Sequence, residues 1–104
     1  MRVWRWIVLS AWLMMTGCFP RESQSIGATD PSASIPAIQE AARKKDRSAV
    51  PALIKQLSSD DPAVRFYAIE ALKKITGQTM DYHYYEDAEE RKEAVRRWDK
   101  WLQR

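Results

Sequence analysis

The only cysteine of this 104-residue chain stands at position 18, at the end of a short charged and apolar N-terminus. Arg2 and Arg5 lead into the apolar run Trp6–Met15, and the small residues Thr16 and Gly17 come just before Cys18. A basic start, a short apolar stretch and a small-residue end are the parts of a secretory signal. The run is too short to cross a bilayer, which needs ~20 apolar residues. Cys18 has no second thiol to pair with, so no intrachain disulfide is available. Whatever follows must be held by core packing alone.

Thr16-Gly17-Cys18 behind that apolar run resembles the lipobox of bacterial lipoprotein signal peptides. The resemblance implies that residues 1–17 are removed, that the Cys18 sulfur receives a diacylglycerol, and that the new amino group is acylated, with palmitate as a typical chain. It implies a protein attached to a membrane of the cell envelope and facing outside the cytoplasm. Phe19 rather than Asp follows the cysteine, which favours the outer membrane in a Gram-negative cell. Each buried methylene contributes about 0.8 kcal/mol, so two or more chains make such an anchor stable.

Charge has to be read without the signal. The whole chain carries 17 Lys+Arg against 14 Asp+Glu, and removal of Arg2 and Arg5 leaves the basic and acidic residues nearly balanced. The basicity is largely a property of targeting and gives no ground for a nucleic-acid partner. What remains is enough for one small domain with little core to spare.

Residues 18–34 are rich in Ser, Pro and Gly without any apolar period, and read as a flexible tether to a domain at 35–104. Within the domain, apolar residues recur at helical spacing and never alternate, so the fold class is all-α, a stack of about four short helices. Ser34 and Pro36 suit the start of a first helix through Lys45, with Ile38, Ala41 and Ala42 on one face. A second helix from Ser48 places Val50, Leu53, Ile54 and Leu57 on its stripe. The third has the clearest bounds, with Asp61 as cap, Pro62 as first residue and Gly77 past the end. Its stripe is Val64, Tyr67, Ala68, Ala71, Leu72 and Ile75, and Phe66 and Ile69 form a second apolar flank, so it packs between neighbours. A fourth starts at Asp87, with Glu90 in a capping-box-like position, and carries Ala94, Val95, Trp98, Trp101 and Leu102 inward.

The span 49–77 resembles a short HEAT repeat. The resemblance is carried by Val50-Pro51-Ala52-Leu53-Ile54 and Leu57, the Asp60-Asp61-Pro62 turn, Val64-Arg65, Ala68, Ala71-Leu72, Ile75 and Gly77. It implies a small α-solenoid used for protein–protein contact, with Asp61 and Arg65 stabilising the repeat. Ser59 stands where many repeats carry another acid, leaving any Asp–Arg ladder incomplete. Residues 38–45 look like the second helix of a degenerate preceding repeat. The fourth helix lies outside the repeat pattern and is read as a cap, with Trp98 buried to close the stack.

Few residues suggest chemistry. His83 is the sole histidine and lacks the converging ligands of a metal or catalytic site. Tyr82, Tyr84 and Tyr85 beside it, and Trp101 on the last helix, are candidate protein-binding residues, since Tyr and Trp serve as interface anchors. The acids from Glu86 to Glu90 lack calcium-loop spacing, and no phosphate loop or nucleophile motif is present. The sequence therefore reads as a binding module rather than an enzyme, without cofactor or metal. Its expected partners are a membrane through Cys18 and an envelope protein. The alternative is an accessory subunit of an envelope enzyme or a lyase-like small-ligand module, because some HEAT-like domains resemble those of chromophore lyases.

Overall fold

The computed structural model describes residues 26–104. The signal, Cys18 and the first part of the expected tether lie outside the described residues. Four helices follow in order: α1 (Pro31–Lys44), α2 (Val50–Gln56), α3 (Pro62–Thr76) and α4 (Ala88–Leu102). There is no strand among the described residues.

The ends of α3 lie where its sequence places them. The Asp61 carboxylate accepts the Ala63 amide at 2.8 Å, which satisfies one of the donors a helix start leaves unpaired. Pro62 is the first residue, where its missing N–H costs nothing. Gly77 ends the helix at φ 79°, and its amide donates to the Lys73 carbonyl at 2.8 Å. A Cβ at Gly77 would meet nothing within 4 Å, so the demand for glycine there comes from the left-handed backbone alone.

The first helix departs from expectation. It begins at Pro31, not beside Ser34, and the Asp30 side chain caps it by accepting the Ser32 amide at 3.0 Å. Asp30-Pro31 repeats the start signal of Asp61-Pro62, inside a stretch whose composition otherwise reads as linker. Ser34 is wholly buried and Pro36 lies inside the helix. Lys45, expected as the last helical residue, is instead the left-handed residue past the end. Upstream, Ile26 is fully buried in the core, and its carbonyl accepts the Gln56 side-chain amide. Residues 26–34 therefore belong to the folded domain and not to a tether, and the domain begins before the expected boundary at 35. The helix α2 is also shorter than expected: residues Arg47–Ala49 form a 3₁₀ turn capped by Asp46, and the α-helix starts at Val50.

Two layers result. α3 packs on α1 on one side and forms a hairpin with α2 on the other, while α4 packs on α2. One core runs through all four helices, with Ile38, Leu53, Leu57, Ala68, Leu72 and Trp98 fully buried. Residues 77–87 form a strap of two turns between α3 and α4, with the Tyr82 amide on the Thr79 carbonyl at 3.0 Å and the Glu86 amide on the His83 carbonyl at 3.2 Å. Beginning at the C-terminal end of α3, it reaches the far end of the hairpin, where the Tyr82 hydroxyl meets the Leu57 carbonyl. The chain then turns at Asp87, whose carboxylate accepts the Glu90 amide at 3.0 Å. α4 runs back along the strap until Trp98 reaches Thr79. α4 is thus antiparallel to α2 and parallel to α3.

Candidate functional site

Two groups of candidate residues sit at opposite ends of this stack. At the end where α3 and α4 begin, the strap is fastened by side chains of the repeat. Arg65 is buried beneath it, with Nε donating to the Tyr84 carbonyl at 3.0 Å and Nη1 to the Ser59 carbonyl at 2.8 Å. A guanidinium can serve two carbonyls at once because its donors are fixed in a planar fork. Arg65 therefore ties the turn between α2 and α3 to the strap, whereas Asp61 caps α3. No ion pair joins Asp61 to Arg65 among the described residues.

Tyr82 is not the surface anchor expected of it. It is 3% exposed, and its hydroxyl donates to the Leu57 carbonyl at 2.7 Å, satisfying one carbonyl at the end of α2. Burial pushes the phenol up to about 12, against the opposing pull of the Arg65 and Arg91 guanidiniums. The difference arises in the strap's turns: Met80 and Asp81 are left-handed at φ 54° and 55°, and beyond them Tyr82 lies inward while Tyr85 is carried outward. Tyr84 is half-buried, with its ring edge-on to Phe66 at 5.2 Å, and Tyr85 stands edge-on to Tyr84 at 5.3 Å and is 69% exposed. His83 has Asp81 at 3.3 Å on Nε2 and the Tyr85 hydroxyl at 3.3 Å on Nδ1. Phe66 joins this patch as a residue not named as a candidate from sequence, although its place on the second apolar flank of α3 was the available signal.

The other end is built around two tryptophans. Trp98 is fully buried, and its Nε1 donates to the Thr79 carbonyl at 3.2 Å, so the indole packs without an orphaned donor. Arg97 beside it donates to the Met80 carbonyl at 2.9 Å, pinning the strap a second time. Trp101 packs edge-on against Trp98 with centroids 5.4 Å apart, and is half-buried. One flank of Trp101 opens on a groove of about 500 Å³, lined by Arg47, Val50, Pro51, Leu102 and Arg104 among others. Its other flank opens on a second groove of about 440 Å³ with Met80, Arg97, Lys100 and Arg104. Trp101 is therefore not brought together with the strap tyrosines. The length of α4, about 22 Å at 1.5 Å per residue, separates the two groups.

The HEAT-repeat family model matches residues 23–97. That span takes in α1, the hairpin, the strap and most of α4, so the fourth helix, read from sequence as lying outside the repeat, falls largely within the family match. No curated protein and no solved structure shows a significant match. With α3 packed on α1 and joined to α2 in a capped hairpin, the chain belongs to the HEAT-repeat family.

Proposed function

We propose that this protein is a lipid-anchored scaffold of the cell envelope, whose HEAT-repeat domain holds a protein partner close to the membrane. The family match over residues 23–97 carries the binding role, since helical repeats of this kind present surfaces to other proteins. The grooves between the helices are open depressions, better suited to another protein's surface than to an enclosed small ligand. Anchoring rests on the residues around Cys18. Eight residue steps separate Cys18 from the buried Ile26, so a lipid on Cys18 would hold the domain within about 26–29 Å of its attachment point. Ile26 enters the fold beside Gln56, at the end of the stack where α3 and α4 begin. That end would face the bilayer.

Intact mass of the membrane-extracted protein is the direct test. A chain beginning at Cys18 with added acyl mass is the expected result, and Cys18→Ala should release the protein from membranes or leave the precursor unprocessed. A mature chain from Cys18 without acyl mass would remove the anchor from this reading. Co-purification from detergent-solubilised membranes tests the scaffold: a stoichiometric protein partner is expected, and its absence under mild detergent would count against a binding role.

A further inference from the structure

We infer that the end of the stack carrying Trp101 is the docking surface, and that its occupant is an extended acidic segment of another protein, with apolar side chains between the acids. The inference names the kind of partner for the scaffold proposed above and rests on that reading for its orientation. Its physical basis is a separation of charge along the molecule. Where α3 and α4 begin, the surface carries Asp60, Asp61, Glu86, Asp87, Glu89 and Glu90. Where they finish, Arg47, Arg97, Lys100 and Arg104 surround Trp101 and Leu102 and outnumber the acids of that end, Asp46 and Asp99.

Complementing helix dipoles accounts for part of this pattern, since cations favour the C-terminal ends of helices. It does not account for Arg47, which sits at the start of the turn leading into α2, where a cation opposes the dipole. Nor does it account for pairing. Of the cations on the flanks of the stack, Arg43, Lys44, Lys92 and Arg96 are each matched to a glutamate on the same helix, whereas Lys55, Lys73 and Lys74 pair with no described carboxylate. Arg47, Lys100 and Arg104 form no ion pair with any described carboxylate, and Arg97 bonds only to backbone carbonyls. Between these cations lie the open flanks of Trp101 and the 41%-exposed Leu102. An aromatic anchor ringed by unpaired cations fits a ligand with both acidic and apolar groups, because the apolar contact supplies affinity and the charges supply steering and register.

The two grooves share Trp101 and Arg104 and so flank a single ridge, which suits an extended chain crossing the end of α4. A membrane is the less fitting occupant, because the tether enters at the opposite, acidic end. The strap tyrosines are the less fitting surface, since Tyr82 is buried and Tyr84 is engaged by Phe66.

The test uses the full chain in neutral detergent and a fluorescent peptide of alternating glutamate and leucine. Binding should fall as salt is raised, and should weaken about tenfold or more in Arg47→Glu with Lys100→Glu, and in Trp101→Ala. Lys73→Glu with Lys74→Glu, on α3, should leave it unchanged. Circular dichroism of each variant checks that the fold survives, and Leu102→Ser replaces Trp101→Ala if that variant unfolds. Four results would overturn the inference: no binding of the peptide, equal loss in the Lys73/Lys74 variant, tighter binding to phosphatidylglycerol vesicles than to the peptide, or self-association that the charge reversals abolish. None of these depends on the acyl mass at Cys18, so failure here and failure of the anchor are read separately.

Discussion

Trp98 and Trp101, three residues apart on one helix, show how much depends on a single side chain's direction. Trp98 fills the core and satisfies its N–H at Thr79, so Trp98→Ala should cost about 3–5 kcal/mol, read from chemical denaturation. A loss near zero would mean that the stack does not close on this indole. Tyr82 makes a second residue-scale prediction. In the fold its phenol is held neutral up to about 12, whereas an unfolded chain releases the proton near ~10. Its contribution to stability is therefore intact below about pH 10 and is lost as pH rises towards 12. Tyr82→Phe should cost about 0.5–1.5 kcal/mol at neutral pH, because the Leu57 carbonyl loses its donor. The gap between wild type and Tyr82→Phe should narrow across that alkaline window, and a gap constant with pH would contradict the assignment. From the sequence, Trp98 is expected inside and Tyr82 at the surface, and the structure buries both, since an aromatic in a loop has the same spacing whether it faces in or out.

At the scale of elements, the legible parts were those with local chemistry. Asp61, Pro62 and Gly77 bound α3 because a cap, a fixed φ and a left-handed residue act within a few positions along the chain. Gly77→Ala should cost about 1–2 kcal/mol, all of it from backbone conformation, since a Cβ there meets no neighbour. Thermal denaturation would check this, and an unchanged midpoint would mean that the αL ending is dispensable. The start of α1 was equally local in its chemistry, with Asp30 and Pro31 in the same order, but the surrounding Ser, Gly and Pro outweighed it. The course of the strap was not legible at all. Arg65 reaching Tyr84 and Trp98 reaching Thr79 are contacts over nineteen positions, and no short-range rule encodes them.

For the whole molecule, the revised boundary has consequences. A chain beginning at residue 35 lacks Ile26, the Asp30 cap and the first turn of α1. It should be measurably less stable than one beginning at 26, and Ile26→Ala alone should cost about 2–5 kcal/mol as a large-to-small core change. Equal denaturation midpoints for the two chains would return residues 26–34 to the role of linker. A domain of this size without a disulfide has few spare contacts, so the loss of one core residue is felt throughout.

By itself the sequence determined that the chain is all-α, which residues line α3, and where that helix begins and ends. Helical period and end-capping are interactions between near neighbours, and they survive without knowledge of the rest of the molecule. The tertiary structure alone decided that Ile26 belongs to the core, that Tyr82 faces inward while Tyr85 faces out, and that Trp101 lies at the opposite end from the tyrosines it was grouped with. Those outcomes depend on the strap running the length of α3 before α4 begins, which fixes α4 parallel to α3. Direction of that kind is set by where a segment finds partners for its buried polar groups: Leu57 for the Tyr82 hydroxyl, Thr79 for the Trp98 indole, and Tyr84 and Ser59 for the Arg65 guanidinium.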